Sequence, residues 1–335
     1  MFPPRSDMLF WTAGLMITLA FGLAAPLPSE AQQSGTDKTY QIGVILHGGA
    51  YRAAVGGLRE GLRSSGLEEG KQWVFEVRET KGDLNAVEEA ARDLARRRVD
   101  LLYTVAGSVT RRAVRATSEL PIVFAVGSDP LTLGLVQSLN RPGTRLTGVH
   151  FLLTDLTPKR LQLLKEIVPN ARRVVTFYDP TNKGAAEAAR LAREAAATLG
   201  MAIIERHVGS VDDLHRSVQA LKPGEFDAYF FTSDAMVASQ SQFIIDTART
   251  KRLPTMFHEP STVTEGGLAS YGISFREVGR LSARYVVRIM GGARPHDLPV
   301  ERVDRLELSI NLKTAKALGL AIPPSVLLRA DHVIE

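Results

Sequence analysis

The sequence predicts an α/β fold made of two doubly wound, parallel-sheet lobes with a cleft between them. Its length of 335 residues exceeds what one hydrophobic core usually supports. Short apolar runs alternate with amphipathic helical segments, a pattern typical of βαβ units whose sheet is covered by helices on both faces. This alternation starts afresh near the middle of the chain, so we expect two sheets rather than one.

The first array, residues 32–152, is predicted to form lobe 1. Strands are expected at Ile42–Leu46, Trp73–Arg78, Leu101–Val105, Ile122–Val126 and Thr147–Phe151. Helices are expected at Arg52–Ser65, Leu84–Arg98 and Val109–Ser118. Short right-handed crossovers of this kind connect neighbouring strands only in a parallel sheet.

The second array, residues 153–274, is predicted to form lobe 2 in the same way. Its strands are expected at Arg173–Phe177, Ala202–His207, Ala228–Phe231, Thr255–Phe257 and Leu268–Tyr271. Its helices are expected at Pro158–Ile167, Gly184–Leu199, Val211–Leu221 and Ser239–Thr250. The two arrays repeat an architecture, not a sequence motif.

The remaining chain is too short to bury itself and must pack on the two lobes. Residues 275–303, with a helix over Val278–Met290, are expected to return to lobe 1. Residues 304–335 are expected to add a C-terminal strand and helices that pack across the lobes. The hinges would lie near residues 152–154 and 274–276, where the chain passes from one lobe to the other.

The first 31 residues have the features of a secretory signal. Arg5 precedes an apolar run over Leu9–Ala25, and small residues at Ser29 and Ala31 occupy the positions that signal peptidase reads. We therefore predict export to the periplasm with cleavage after Ala31. A retained membrane anchor is the alternative, because the apolar run is close to the minimum length for a span.

Composition excludes several classes of protein. The chain has no cysteine, so neither a disulfide framework nor a cysteine-linked lipid is available, and we expect a soluble exported protein. The net charge of +5 is mild and comes without a basic run or interleaved aromatic residues, which argues against nucleic-acid binding. A repressor with the same lobes would need a helix-turn-helix before the first strand, where the export signal lies.

Open parallel sheets bind ligands at the carboxyl ends of their strands, so the loops there supply the candidate site. In lobe 1 the candidates are Gly49, Tyr51, Ser108, Thr110, Ser128 and Asp129. Gly49 allows backbone to approach a ligand, and Tyr51 can stack on it. Ser108 and Thr110, at a helix start, suit a carboxylate. Ordinary capping explains Ser108 and Asp129 equally well.

In lobe 2 the corresponding loops carry acidic, aromatic and amide side chains. The candidates are Tyr178, Asn182, Asp234, Ala235, Glu259 and Tyr271. If these loops converge on the gap between the lobes, they form a pocket with acceptors for an ammonium group and with aromatic walls.

The sequence argues against catalysis, metal binding and a cofactor. The seven histidines are scattered, with no HExxH and no pair at ligand spacing. The chain also lacks a GxSxG elbow, a thiol nucleophile, a GxGxxG turn and a Walker lysine motif. We therefore predict a protein that is not an enzyme and has no catalytic residues, no metal and no cofactor.

From Gln41 to Glu335 the chain resembles the extracytoplasmic substrate-binding proteins of ABC transporters, in the tryptophan/tyrosine-type group. The motifs that carry the resemblance are LPIVFAVGSDPLTLGLV, PGTRLTGVHF, KRLQLLKEIVP, YDPTN, SDAMV, LPTMF, GGLASYGISF and the closing LSINLKTAKALGLAIPPSVLLRADHVIE. The resemblance implies a type I periplasmic-binding-protein fold, with the ligand enclosed between two lobes.

Carried over residue by residue, the resemblance implies cleft positions in both lobes. They are Ser108, Thr110, Ser128, Asp129, Tyr178, Asn182, Asp234, Ala235, Glu259 and Tyr271. One departure is that many members carry a small-Thr-Pro-Ala motif where this chain has Gly107-Ser108-Val109-Thr110. The resemblance therefore leaves the identity of the ligand open.

The expected function is to capture a small polar or aromatic solute, with an amino acid or related carboxylate among the candidates. Lobe closure on the ligand would precede docking on a membrane permease driven by a cytoplasmic ATPase. We expect a monomer with a small-molecule ligand. An exported sensing module that reports to a membrane receptor shares this fold and is the alternative function.

Overall fold

The computed structural model describes residues 38–335, and the export signal predicted over residues 1–31 lies outside the described residues. In chain order the strands are β1 (Tyr40–Leu46), β2 (Trp73–Glu79), β3 (Leu101–Val105), β4 (Ile122–Val126), β5 (Leu146–His150), β6 (Arg173–Tyr178), β7 (Ala202–His207), β8 (Ala228–Phe230), β9 (Thr255–Phe257), β10 (Ala269–Ile273), β11 (Glu301–Arg302), β12 (Leu306–Asn311) and β13 (His332–Ile334).

The helices alternate with these strands as the sequence predicts. They are α1 (Arg52–Ser64), α2 (Leu84–Arg96), α3 (Gly107–Ala116), α4 (Thr157–Ile167), α5 (Lys183–Thr198), α6 (Val211–Gln219), α7 (Ala235–Ser239), α8 (Ser241–Thr250), α9 (Ser261–Thr264), α10 (Phe275–Met290), α11 (Leu312–Leu318) and α12 (Pro324–Leu327). Across residues 38–335, no helix combines the length and the apolar character needed to cross a bilayer.

The strands form two sheets, each the centre of one lobe. The six-stranded sheet of lobe 1 has the order β11-β5-β4-β3-β1-β2, and the seven-stranded sheet of lobe 2 has the order β13-β12-β10-β9-β8-β6-β7. Among the paired strands only β10 and β12 are antiparallel to each other within the described residues. The prediction of two lobes built on parallel-dominant sheets is confirmed.

The local sequence explains where these elements lie and where they begin. Every residue of β3 and β4 is buried, as expected for strands covered by helices on both faces. Helix starts are fixed by side chains that accept hydrogen bonds from first-turn amides. Asp83 accepts from Asn85 N at 2.7 Å, and Ser274 accepts from Glu277 N at 3.3 Å, which sets the first turn of α10.

The chain passes between the two sheets three times: after β5, after β10 and after β11. The first two passages lie beside residues 152–154 and 274–276, which the sequence singled out as hinges. The third passage lies between Arg302 and Leu306. The sequence did not predict it, because β11 has two residues and is too short to leave an apolar or alternating pattern.

The C-terminal segment, residues 304–335, packs on lobe 2 and not across both lobes as expected. Strands β12 and β13 both belong to the lobe 2 sheet. Ala315 of α11 and Val326 of α12 lie in the hydrophobic core of that lobe. The reason is that β12 pairs with β10 from Ala269 to Ile273, which fixes the whole segment to one sheet.

Helix α10 returns the chain to lobe 1, where it packs on α1, β4 and β5. The two helices approach so closely that only glycine fits at the contact. A β-carbon on Gly279 would lie 1.9 Å from Ala54 O, and one on Gly57 would lie 1.8 Å from Arg276 O. Glycine at these two positions therefore permits the packing that holds α10 against lobe 1.

Candidate ligand-binding site

The loops at the carboxyl ends of the two sheets meet each other. Gly49 follows β1 in lobe 1, and a β-carbon there would lie 2.5 Å from Ala238 O and 2.7 Å from Ser239 O in lobe 2. Gln240 Nε2, at the end of the same short helix, donates to Lys81 O of lobe 1 at 3.4 Å. The lobes are thus in direct contact along this rim, as expected for a closed cleft.

A chain of aromatic rings connects the lobes. Tyr51 of lobe 1 stacks on Phe275 with ring centroids 5.0 Å apart, and Phe151 lies 5.7 Å from the same Phe275 ring. Phe275 meets His258 of lobe 2 edge-on at 5.3 Å, and His258 stacks on Phe231 at 4.3 Å. Phe151 and Phe275 lie where the chain passes between the sheets, and all five rings are buried. The rings therefore form a packed aromatic junction between the lobes.

Asp234 is buried at the start of α7, with 1% of its surface exposed. Its carboxylate accepts hydrogen bonds from Val237 N at 3.1 Å, Asp179 N at 3.2 Å and Asn182 Nδ2 at 3.1 Å. Burial raises the pKa of Asp234, and the Asp234 charge adds to the effect of burial in raising the pKa of Tyr51 from lobe 1. The structure therefore brings the predicted residues Asp234 and Asn182 into direct contact, and the carboxylate has capacity for one further donor.

Lobe 2 also buries polar side chains that have no hydrogen-bond partner among the described residues. They include Tyr229 Oη, Ser233 Oγ, both ring nitrogens of His258, and Nε and Nη1 of Arg160. Such groups are rare in folded proteins, and each one requires an explanation. None of them is among the site residues predicted from the sequence. Arg160 had a detectable signal, because it is a charged residue on the buried face of α4.

Lobe 1 contributes neutral polar groups at the same ends of its strands. His47 Nδ1 lies 2.8 Å from Thr80 Oγ1, and His47 Nε2 lies 3.4 Å from Ser108 Oγ. Burial lowers the pKa of His47 to about 4, so the ring is uncharged at neutral pH. Ala106, just before α3, has a φ of +90°, a strained value for a residue with a side chain. Strain of this kind is concentrated at functional loops.

The other predicted residues of lobe 1 are engaged locally. The Thr110 hydroxyl is buried, donates to Ala106 O at 2.9 Å and lies 2.9 Å from Thr104 Oγ1. Asp129 accepts from Leu131 N at 2.9 Å and from Thr132 Oγ1 at 3.1 Å, so its carboxylate caps its own turn. Ser128, beside it, is only partly buried. The capping interpretation of Asp129 thus describes the contacts that the structure shows.

Two predicted tyrosines of lobe 2 lie away from the aromatic chain. The Tyr178 hydroxyl donates to Glu205 and lies 3.1 Å from His207 Nε2, both on the neighbouring strand β7. Tyr271 packs against the hydrophobic core of lobe 2. Side chains on a strand alternate between the two faces of the sheet, and these two rings fall on a face that is covered by helices.

Glu259 and Ala235 lie next to the cluster. Glu259 is buried, accepts from Ser261 N at 2.8 Å, and accepts from Phe275 N at 3.3 Å where the chain passes back to lobe 1. Burial raises the pKa of Glu259 to about 7. Ala235 is the first residue of α7 and directly follows Asp234. Glu259 is therefore a buried acid at a passage between the lobes.

Comparison with known proteins identifies relatives of the same architecture. The family model described as "ABC transporter substrate binding protein" matches residues 40–334. A tyrosine-binding protein from Clostridioides difficile (strain R20291) is 22% identical over 294 residues, which is 87% of this chain and 84% of that protein.

Two solved structures of similar proteins differ in their state. An ABC domain from Streptococcus pneumonia in complex with L-Trp is 25% identical, with a TM-score of 0.76 over 89% of this chain and 100% of that chain. A ligand-free, open structure of a substrate-binding protein with adhesive properties from Clostridium difficile is also 25% identical, but its TM-score is 0.58 over 89% of this chain and 99% of that chain. Of these two structures, the complex with L-Trp has the higher TM-score.

Proposed function

The chain belongs to the family of ABC transporter substrate-binding proteins, and on that premise we propose that it captures an aromatic amino acid between its lobes. The family consists of solute-binding components and not of enzymes. The observation that supports this ligand is the buried Asp234 carboxylate, which lies near Tyr51 in a closed, aromatic junction between the lobes. A carboxylate in such surroundings gains most from a cationic partner, and an α-ammonium group supplies one.

The aromatic chain accounts for the rest of the ligand. Tyr51, Phe275 and Phe231 belong to a connected set of rings that spans both lobes. The named ligands of the relatives, tyrosine and L-Trp, each combine an ammonium group with a flat ring. An amino acid of this kind would place its ammonium on Asp234 and its ring among these side chains.

The proposed mechanism is lobe closure. Without a ligand the rim contacts between Gly49 and the end of α7 separate, and the cluster is open to solvent. A solute bound to lobe 2 stabilises the closed form because it contacts lobe 1 only when the cleft is shut. The predicted site residues of lobe 1, including Ser108 and Ser128, would approach the ligand in this step.

We further propose that the protein is exported to the periplasm, where its closed form delivers the ligand to a permease driven by a cytoplasmic ATPase. The family match supports this role. Uptake of labelled L-tryptophan by a strain that lacks the chain, complemented with wild type or with Asp234→Asn, tests delivery. Uptake that returns equally with both proteins would contradict a role for this site in transport.

The binding proposal is tested by isothermal titration calorimetry on the chain from residue 32 onwards. L-tryptophan and L-tyrosine should bind, and L-leucine should bind more weakly because it lacks a ring to stack. Asp234→Asn should lower the affinity for L-tryptophan at least about 30-fold, since it removes one member of a buried charge pair.

A matched control for this variant is Asp227→Asn, also in lobe 2. Asp227 accepts from the amides of Arg172 and Arg173 at 2.7 and 2.8 Å, where β6 begins, at the edge of the sheet away from the cleft. The Asp227→Asn variant should be less stable than wild type but should bind L-tryptophan with unchanged affinity. Equal loss of affinity in the two variants would remove Asp234 from the site.

A further inference from the structure

Arg160 is a buried cation without a counter-ion. Its side chain is fully buried on α4 in lobe 2, with 0% of its surface exposed. Its single hydrogen bond runs from Nη2 to Thr157 Oγ1 at 3.3 Å, and Nε and Nη1 have no partner among the described residues. The ion pairs within residues 38–335 include none that involves Arg160.

The surroundings of Arg160 contact its guanidinium group but supply no negative charge to pair with it. The guanidinium carbon lies 5.3 Å from the centroid of the Phe230 ring, within the range of a cation–π contact. Burial lowers the pKa of Arg160 to about 9, so the group is still protonated at neutral pH. Burying an unpaired charge is costly, and removing such a charge often stabilises a fold. A role in binding explains why the fold carries this cost.

Arg160 lies at the cleft end of the lobe 2 sheet. Phe230 is the last residue of β8, and His258 directly follows β9. The Arg160 charge contributes to lowering the pKa of His258 and opposes the rise in the pKa of Tyr229. Tyr229 and His258 also lack hydrogen-bond partners among the residues that the structure describes.

Arg160 and Asp234 flank the same tyrosine without pairing with each other. The Asp234 charge raises the pKa of Tyr229, whereas the Arg160 charge lowers it. The hydrogen bonds of Asp234 all come from residues 179, 182 and 237. One buried cation and one buried anion therefore stand near Tyr229 as separate charges. A zwitterion carries one charge of each sign, so its two groups have one partner each in this lobe.

We propose that Arg160 binds the carboxylate of the solute while Asp234 binds its ammonium group, so that lobe 2 selects for intact α-amino acids. This inference rests on the proposed function and adds to it the residue that discriminates amino acids from amines. A guanidinium is suited to this task because its planar donors match both oxygens of a carboxylate. Ser108, at the α3 start in lobe 1, is the competing carboxylate site.

The test is a calorimetric titration of three probes into four proteins. The probes are L-tryptophan, tryptamine, which lacks the carboxylate, and indole-3-propionate, which lacks the ammonium group. The proteins are wild type, Arg160→Met, Ser108→Ala and the control Arg145→Met. Arg145 is a partly buried arginine of lobe 1 that donates to the carbonyls of residues 114, 117 and 120, so its role is structural.

Wild type should bind L-tryptophan at least about 30-fold more tightly than tryptamine. Arg160→Met should lower the affinity for L-tryptophan and for indole-3-propionate by a similar factor and leave tryptamine unchanged. The melting temperature of ligand-free Arg160→Met should equal or exceed that of wild type, because an unpaired charge is gone. Arg145→Met should instead lower the melting temperature without changing the preference among the probes.

Two outcomes separate this inference from the proposed function. If Arg160→Met binds L-tryptophan as tightly as wild type does, the role of Arg160 is overturned and the proposed function is unaffected. Selective loss of L-tryptophan binding in Ser108→Ala, with Arg160→Met unchanged, assigns the carboxylate to lobe 1 and also overturns it. Wild type that binds neither L-tryptophan nor L-tyrosine overturns the proposed function and this inference with it. If Arg160→Met does not fold, Arg160→Gln supplies the same comparison.

Discussion

Replacing Gly49 by alanine should weaken ligand binding while both lobes stay folded. Gly49 lies on the rim where lobe 1 touches lobe 2, and a β-carbon there would lie 2.5 Å from Ala238 O and 2.7 Å from Ser239 O. Both atoms belong to the backbone, so no side chain can rotate away to make room. The clash exists only when the lobes are in contact, and opening the cleft relieves it.

The size of the effect follows from two separate costs. Gly49 has a φ of +57°, and alanine in this left-handed region costs about 1 kcal/mol in the open and the closed forms alike. Overpacking at the rim adds about 1 to 3 kcal/mol to the closed form alone. Only the second cost changes the equilibrium between open and closed forms, so the Kd for L-tryptophan should rise by about 5-fold to 150-fold.

Gly66→Ala is the matched control for this experiment. Gly66 has a φ of +81° and no atom within 4 Å of the position where a β-carbon would stand. Alanine at this position therefore has the free-energy cost of a left-handed backbone but causes no clash. Calorimetry gives the two affinities, and small-angle scattering shows whether L-tryptophan still reduces the radius of gyration. If Gly49→Ala and Gly66→Ala bind within twofold of each other, the rim contact has no part in closure.

Two further predictions concern stability. Glu259→Gln should flatten the pH dependence of stability: burial raises the pKa of Glu259 from 4.5 to about 7, so the folded state binds this proton more tightly than the unfolded chain does. Ionisation of Glu259 should therefore lower the free energy of unfolding of wild type by about 3 kcal/mol as pH rises from 4.5 to above 7. Urea unfolding from pH 5 to 8 should show that the free energy of unfolding of wild type falls relative to that of Glu259→Gln as pH rises. Gly279→Ala should destabilise the protein by about 3 kcal/mol or prevent folding, since its β-carbon would lie 1.9 Å from Ala54 O in α1. Gly291→Ala, where the nearest atoms are 3.5 Å away, should change the melting temperature little, and equal effects of the two substitutions would show that the α1–α10 contact adapts.

The sequence predicts the elements of the fold well because apolar runs and helical spacing are local signals. Strand β4 coincides with the predicted run Ile122–Val126, and α2 begins at Leu84 as expected. The third passage between the lobes was not predicted, since a strand as short as β11 depends on its pairing with β5 and not on its own residues. The placement of β12 is likewise decided by a distant partner, β10.

The site is harder to predict than the fold, because a loop position does not tell where a side chain points. Tyr178 ends β6, yet its side chain falls on the face that meets Glu205 of β7 and not on the rim. Thr110 follows a strand, but its hydroxyl bonds back to the helix start at Ala106. Arg160 is the reverse case, a residue that was not predicted although the structure buries it. A charged residue on a helix is normally exposed, and only the position of Arg160 on the apolar face of α4 indicates that it is buried.

The distribution of buried charge suggests an order of events in the proposed mechanism. Lobe 2 buries the charged groups Asp234 and Arg160, whereas the buried His47 of lobe 1 is neutral because burial lowers its pKa to about 4. The charge contacts to a zwitterion therefore come from lobe 2, and lobe 1 adds stacking and excludes water when it closes. A solute should bind first to lobe 2 in the open form. Closure then strengthens both charge contacts, because the surrounding dielectric falls as water leaves.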